Sequence, residues 1–169
     1  MINLLILFVL LKRDLTMYSI RKHIQDRFSP FTNPSFGALK PALTKLEAKG
    51  FLSTSKMMSD GGKLSVFYSI TNSGQKELKE LLIAPLSLNP LQFISDAKVK
   101  LSCASFLGSE DRKIMYEEIK SKAYLFLSKA KNISEDEYTK SDFYQKIVLD
   151  NTICEYKNFI SVIEGLEKA

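Results

Sequence analysis

The stretch from Asn33 to Gly50, NPSFGALKPALTKLEAKG, carries the most information about the fold. At 3.6 residues per turn its larger apolar side chains fall on one side of a helix, while small residues and lysines cover the rest. A small, cationic face suits close approach to a phosphate surface. The apolar side holds Leu39, Ala42, Leu43 and Leu46, and the remaining surface holds Gly37, Lys40, Pro41, Thr44, Lys45 and Ala48.

Two further helices are predicted before this stretch. Ile2 to Lys12 is apolar on almost every side, which in a short helix indicates burial between other elements. Thr16 to Phe28 repeats apolar residues at intervals of 3, 4 and 4, which is typical of an amphipathic helix. Pro34 is expected to open the third helix, where its missing N–H costs nothing. Three helices with a short link before the third indicate a helix-turn-helix arrangement.

The periodicity changes after Gly50, which follows the third helix where a left-handed cap is wanted. Residues 51–59 and 64–71 are rich in β-branched, aromatic and hydroxyl side chains, and they flank Asp60-Gly61-Gly62-Lys63. This pattern predicts a β-hairpin. Thr71 is a suitable N-cap for a fourth helix that continues to Leu82.

The second half of the chain is predicted to be helical. Pro85 and Pro90 mark the boundary, so we expect a first domain over 1–84, a linker over 85–95 and a helical region over 96–169. Two segments with coiled-coil spacing predict an antiparallel helical hairpin, and a second copy of the chain could cover its apolar side chains. The alternative is that some of them pack only within their own chain. The interface candidates are Phe126, Ile153, Tyr156, Ile160 and Ile163.

Charge divides the chain in the same place. Residues 1–84 carry 12 Lys and Arg against 6 Asp and Glu, whereas residues 85–169 carry 12 against 13. A net +6 in the first half favours a polyanionic partner for that half. The apolar amino terminus has no basic segment before it and falls short of the ~20 residues that span a bilayer, so we expect no membrane segment.

The sequence offers no catalytic or metal-binding pattern. His23 is the only histidine, and Cys103 and Cys154 lack the spacing of metal ligands or of a disulfide framework. We therefore expect a protein of the reducing cytoplasm that is not an enzyme and needs no cofactor or metal. The two cysteines are interpreted as packing residues rather than as redox sensors.

Three motifs resemble those of the PadR family of bacterial transcriptional regulators. Met17-Tyr18-Ser19-Ile20 corresponds to the family's "GY-x-I", Gly37 to Gly50 to "G-[TA]-L-Y-P-A-L-x-x-L-E-x-x-G", and Tyr68 to Gly74 to "Y-x-[LI]-T-x-x-G". Two departures matter: Met17 replaces a glycine, and Lys40 replaces a tyrosine. Since Lys40 lies on the expected DNA face, an operator preference cannot be borrowed from relatives.

The resemblance implies a mainly α fold with a small β-hairpin: a winged helix-turn-helix domain over 1–84 and a carboxy-terminal helical dimerisation region. It also implies repression by a homodimer bound to double-stranded DNA, at a pseudo-palindromic operator with half-sites ~34 Å apart. Family members respond to different signals, so the resemblance does not identify a small-molecule effector.

The expected DNA contacts follow from these placements. Hydroxyl groups can donate to phosphates or bases, and lysines supply charge. Pro41, four residues after Gly37, either shapes the helix for the major groove or is a tolerated kink. Lysines on the hairpin either contact phosphate or only aid solubility. The candidates are Tyr18, Arg21, Lys22, Ser35, Gly37, Lys40, Pro41, Thr44, Lys45, Lys56 and Lys63.

Two alternatives to a DNA-binding regulator stay open. One is a winged-helix module whose surface binds another protein. The other is a small-molecule-binding protein with a pocket beside the first helix and no direct DNA readout. Salt dependence separates the first alternative from DNA binding, because DNA affinity falls linearly in log affinity against log salt.

Overall fold

In the computed structural model, which describes residues 1–58, 62 and 64–168, the chain divides into two compact units. The amino-terminal unit comprises Met1–Ala84 and Ile94–Leu107, and the carboxy-terminal unit comprises Pro85–Phe93 and Gly108–Ala169. The elements in chain order are α1 (Ile2–Val9), β1 (Leu15–Thr16), α2 (Met17–Phe28), α3 (Phe36–Ala48), β2 (Leu52–Met58), β3 (Leu64–Ile70), α4 (Asn72–Ile83), α5 (Pro90–Ser102), a 3-10 turn (Ala104–Phe106), α6 (Ser109–Glu135), α7 (Glu137–Ser141) and α8 (Phe143–Glu167). This confirms the mainly α fold with a small β-sheet.

Helix α1 is central to the core of the amino-terminal unit. Leu4, Leu5, Ile6 and Leu7 are each at most 2% exposed. Helices α2, α3 and α4 all pack against α1, so its apolar side chains are covered on several sides. This confirms the interpretation of the apolar amino-terminal segment as a buried helix. Within the part of the chain that the structure describes, no helix is both long and apolar enough to cross a membrane.

Strands β2 and β3 form the predicted hairpin, with Leu52 opposite Ile70. The sheet also holds a strand that the sequence did not predict, since β1 pairs antiparallel with β3 and places Leu15 opposite Tyr68. Two residues are too few to show an alternation of apolar and polar side chains. Residues 59–61 and 63, in the expected turn, lie outside the described residues.

Helix α3 begins later than expected. We expected Pro34 to open it, but the Ser35 hydroxyl accepts a hydrogen bond from the backbone N–H of Ala38 at 3.3 Å. Ser35 is therefore the N-cap and Phe36 the first helical residue, because a serine side chain can satisfy a free backbone donor and a proline side chain cannot. The helix then continues through Pro41 to its end.

The exit from α3 and the entry to α4 are joined by one side chain. Gly50 adopts φ = 71°, the left-handed conformation predicted for it after α3. Thr71 is the N-cap of α4, as predicted, and its hydroxyl accepts from the N–H of Gly74 at 3.0 Å. The same hydroxyl donates to the carbonyl oxygen of Gly50 at 2.7 Å. Both ends of the hairpin are thus anchored, one at the end of α3 and the other at the start of α4.

The linker expected over 85–95 is partly wrong, because α5 begins at Pro90. The Asn89 side chain explains this start: its Oδ1 accepts from the N–H groups of Leu91 and Gln92, both at 3.1 Å. Residues 96–107, which we assigned to the helical region, belong instead to the amino-terminal unit, together with residues 94 and 95 of the expected linker. There the Lys100 ammonium donates to the carbonyl oxygen of Ala84. Proline and asparagine occur both in turns and at helix starts, so the sequence alone did not distinguish a linker from a helix that begins at Pro90.

The carboxy-terminal unit contains the predicted helical hairpin. Tyr124 donates to Glu164 at 3.2 Å and Ser134 donates to Asp150 at 3.2 Å, so residue numbers rise along α6 as they fall along α8. The two helices are therefore antiparallel. Lys120 reaches Glu117 at 2.8 Å and Glu167 at 2.7 Å. These two carboxylates accept hydrogen bonds from the ammonium and raise the Lys120 pKa, which favours its charged form.

This packing changes the predicted dimer interface. Four of the five interface candidates are buried inside their own chain, and only Ile153 is partly exposed. The rings of Phe126 and Tyr156 stack with centroids 5.9 Å apart. The heptad-like spacing reflects the packing of α6 against α8. Because that packing buries these side chains, little of their surface is left for a partner chain. The four buried residues are Phe126, Tyr156, Ile160 and Ile163.

Candidate nucleic-acid interface

Helix α3 separates the two faces that its sequence predicted. Its apolar residues Leu39, Ala42, Leu43 and Leu46 are buried. The six interface candidates on and before this helix are all exposed: Ser35, Gly37, Lys40, Pro41, Thr44 and Lys45. The helix is therefore held by its apolar side, which packs in the core, and its small and cationic side is accessible to a large ligand.

Local contacts stabilise this exposed face. The Thr44 hydroxyl donates to the carbonyl oxygen of Lys40 at 3.2 Å, inside the same helix. The carboxylate of Glu47 accepts from the hydroxyl of Thr54 on β2 at 2.8 Å, which ties the end of α3 to the hairpin. Before α3, the amide of Gln25 donates to Asn33 at 3.3 Å. Helix α3 is thus held at both ends by its neighbours.

Two of the three candidates on α2 contact the first residue of α3. Tyr18 is 68% exposed and Lys22 is exposed, while Arg21 is partly buried. The guanidinium carbon of Arg21 lies 4.2 Å from the ring centroid of Phe36. The ring of Tyr18 stacks beside the same phenylalanine, with centroids 6.4 Å apart. The structure therefore brings Tyr18 and Arg21 together around the first turn of α3.

Phe36 was missed by the sequence reasoning. It lies directly after the Ser35 cap and remains 39% exposed, although aromatic side chains usually bury their rings. Periodicity gave no signal for it, because Phe36 precedes Leu39 by three residues and Leu43 by seven, which places it beside the buried stripe of leucines. We had placed the helix start at Pro34 and gave Phe36 no role.

The positive charges of this surface are not neutralised by neighbours. Among residues 1–58, 62 and 64–168, no ion pair involves Lys22, Lys40 or Lys45. The first turn of α3 contains no acidic residue. Free backbone N–H groups at a helix N-terminus add partial positive charge, which favours an anion there.

Within the described residues, the hairpin contributes one of the two lysines that we predicted as DNA contacts. Lys56 is exposed on β2, whereas the predicted contact Lys63 lies outside the described residues. Gly62 adopts φ = 71°, as a tight glycine turn requires. Apolar side chains on the two strands are exposed as well, and the sequence reasoning gave them no role: Met57, Met58, Leu64 and Val66.

A second concave site lies within the amino-terminal unit. It has a volume of about 280 Å³ and is lined by Phe8, Val9, Leu11, Lys12, Arg13, His23, Arg27, Ser105 and Phe106. The guanidinium carbon of Arg27 lies 5.8 Å from the centroid of the Phe8 ring, so cationic and aromatic groups share the wall. His23, the only histidine of the sequence, is partly buried and lines this cavity.

Among the described residues, no group of three histidine, cysteine, aspartate or glutamate side chains is placed to hold a metal ion. Burial raises the pKa of the Cys103 thiol to about 12, although Arg27 acts in the opposite direction. Cys103 therefore stays protonated near neutral pH, where only the thiolate is a strong nucleophile. Cys154 is exposed on α8.

Comparisons with known proteins agree with this arrangement. Residues 6–80 match the sequence model of the Transcriptional regulator PadR-like family. The Negative transcriptional regulator PadR of Bacillus subtilis is 25% identical over 170 residues, covering 95% of this chain and 92% of that protein.

Two solved structures are also similar. The crystal structure of Bacillus subtilis PadR in complex with operator DNA matches at 22% identity and a TM-score of 0.48, over 98% of this chain and 96% of that chain. A PadR family transcription regulator from a hypervirulent Clostridium difficile strain is 31% identical, over 46% of this chain and 79% of that chain, with a TM-score of 0.41.

Proposed function

The chain belongs to the PadR-like family of transcriptional regulators, and we propose that it represses transcription by binding operator DNA as a homodimer. The observation that carries this proposal is the exposed face of α3, where Lys40 and Lys45 have no ion-pair partner among the described residues and the leucines on the opposite side are buried. The relative from Bacillus subtilis is named a negative regulator and was crystallised with operator DNA. The proposal places the protein in the cytoplasm and assigns it no catalytic step and no cofactor.

In this proposal α3 is the recognition helix and enters the major groove by its N-terminal half. A groove of about 12 Å admits one helix, and the lack of a side chain at Gly37 allows close approach. Ser35 donates to phosphates or base edges, and Lys40 and Lys45 neutralise phosphates. Thr44 donates to the DNA after exchanging its hydrogen bond to the Lys40 carbonyl oxygen for one to a phosphate or base. Pro41 is exposed on this side and presents no backbone N–H to the DNA.

The flanking elements supply backbone contacts. Tyr18, Arg21 and Lys22 approach the phosphates beside the recognition helix, and Lys56 on β2 acts as part of a wing. Lys63, outside the described residues, stays a predicted contact. Such contacts carry affinity and position but little sequence information. Sequence preference must then come mainly from the first turns of α3.

A salt titration tests DNA binding against the protein-interaction alternative. A DNA duplex is enriched from a random pool with the purified protein, and its Kd is measured by fluorescence anisotropy over a range of salt concentrations. We expect a linear fall of log affinity, with a slope of about −0.9 for each phosphate neutralised. Lys40→Ala and Lys45→Ala should each weaken binding and reduce the slope by about one unit.

The matched control is Lys157→Ala, which removes an exposed lysine from α8. It should leave both the affinity and the slope unchanged. If no duplex is enriched, DNA binding is wrong and the interaction-module alternative is favoured. If a duplex binds but both α3 variants behave like Lys157→Ala, the assignment of α3 as the recognition helix is wrong.

The cavity supports an effector as a further part of the proposal. Its wall combines Arg27, Lys12 and Arg13 with Phe8 and Phe106, a composition that suits a small anion carrying an aromatic or apolar group. A volume of about 280 Å³ is near the lower limit of small-molecule sites. We propose that such a molecule binds there and releases the protein from DNA.

Paired ligands test this part directly. Aromatic carboxylates and their uncharged amides are added to the protein bound to its enriched duplex, and release is followed by anisotropy. We expect the acids to act and the amides not to act, with Arg27→Gln abolishing the response to the acids. An equal response to both members of each pair, or an unchanged response in Arg27→Gln, would rule out recognition of an anion by this cavity.

A further inference from the structure

An exposed aromatic ring lies within an otherwise polar recognition surface. Phe36 is the first residue of α3 and follows the Ser35 cap, whereas the other exposed positions of this surface carry hydroxyl groups, lysines, a proline or small residues. Phe36 is only partly covered by its neighbours, since 39% of its surface is exposed. Its position at the leading end of the helix is where base edges are contacted in helix-turn-helix proteins.

Neighbouring side chains hold this ring in place. Arg21 lies over it at 4.2 Å, and Tyr18 stacks beside it at 6.4 Å between ring centroids. Both neighbours come from the first two turns of α2, so the ring is fixed relative to two helices. Nε of Arg21 is buried and has no hydrogen-bond partner among the described residues. The guanidinium is therefore positioned by its contact with the ring instead of by an acceptor at Nε.

We infer that Phe36 recognises the C5 methyl group of a thymine in the major groove. The inference rests on the proposed function and names one feature of its operator. Among the unmodified bases only thymine shows a methyl group in that groove, and apolar side chains are the groups that contact it. Ala38 and the methyl group of Thr44 are also exposed on α3, but Phe36 is the largest apolar side chain exposed on this helix and lies in its first turn.

Replacement of thymine by deoxyuridine tests the contact, because it removes the methyl group and keeps base pairing. Each thymine of the enriched duplex is replaced in turn, and Kd is measured for the unmodified protein, Phe36→Ala and Phe36→Gln. For the unmodified protein we expect one thymine in each half-site whose replacement weakens binding about fourfold, the effect of burying one methyl group. Both variants should bind the thymine and deoxyuridine duplexes equally.

The matched control is Phe143→Ala, which removes an exposed phenylalanine from the carboxy-terminal unit and should keep the preference for thymine. Phe36→Gln keeps a long side chain, so it supplies the comparison if the alanine variant binds no DNA. An enriched duplex at which no thymine matters, or at which the variants keep the preference, overturns the inference alone. Failure to enrich any duplex removes the proposed function and the inference with it.

Discussion

Gly74 lies in the first turn of α4, against the chain that leaves α3. A Cβ atom at this position would be 2.1 Å from the carbonyl oxygen of Phe51 and 2.9 Å from the Ile70 side chain. The backbone N–H of Gly74 is meanwhile fixed by the Thr71 cap. Gly74 of the T-x-x-G motif is therefore required because two backbone segments approach closely. Thr71 of the same motif is required because its hydroxyl links the end of α3 to the start of α4.

Replacement of Gly74 by alanine should destabilise the amino-terminal unit. Because a backbone carbonyl has to move to accept the Cβ atom, we expect the free energy of unfolding to fall by about 3 kcal/mol. Urea unfolding followed by circular dichroism measures this change. Gly165→Ala is the control: nothing lies within 4 Å of its added Cβ, and alanine in a helix should add about 0.5–1 kcal/mol. Equal unfolding midpoints for the two variants would contradict the close approach.

Single residues also show how far the sequence could predict the site. The buried leucines and exposed lysines of α3 follow directly from 3.6-residue periodicity, and both are found as predicted. Phe36 could not be placed in the same way, because its role depends on Arg21 and Tyr18, which come from another helix. Periodicity assigns a side chain to a face of its own helix, but it does not identify the neighbours across the space between helices.

At the scale of elements, prediction worked where local chemistry decides the structure. The hairpin, the left-handed Gly50 and the Thr71 cap all depend on interactions within a few residues. Strand β1 did not follow from local chemistry, because Leu15 and Thr16 become a strand only through pairing with β3. Thr16 is also the N-cap of α2, with its hydroxyl accepting from the N–H of Ser19 at 3.2 Å.

The coiled-coil spacing of α6 and α8 illustrates a different limit. Apolar residues at intervals of three and four show that a helix has a buried stripe, but not whether the partner helix belongs to the same chain. Here the stripe on α8 that contains Tyr156 and Ile163 faces α6 of the same chain. The position of a dimer contact has to be sought in the apolar side chains that this packing leaves exposed.

At the scale of the whole molecule, the homodimer is proposed because one winged helix covers only half of a palindromic site. The charge distribution is compatible with this division of roles, since the half with few acidic residues, at +6, contains α3 and the nearly neutral half, at −1, contains α6 and α8. A nearly neutral surface can associate with a copy of itself without strong repulsion. Such an isologous contact would use the same patch on both copies.

Helix α8 offers such a patch on the side away from its buried stripe. Val148 is 64% exposed and Val162 is 49% exposed. They are 14 residues apart, close to four helical turns, so they project from the same side of α8. Tyr144 and Leu166 are exposed on that side as well. These four residues form an apolar strip that stays exposed among the described residues, and we propose that the dimer contact lies there.

The double variant Val148→Asp with Val162→Asp should therefore convert the dimer into a monomer, because each association would bury four new carboxylates without partners. Light scattering after size exclusion measures the molar mass. The monomer should also bind the enriched palindromic duplex at least tenfold more weakly, while retaining the contacts of a single half-site. Ser161→Asp adds a carboxylate on another side of α8 and should stay dimeric with unchanged affinity. A dimer that persists in the double variant would exclude this strip as the contact between the two copies.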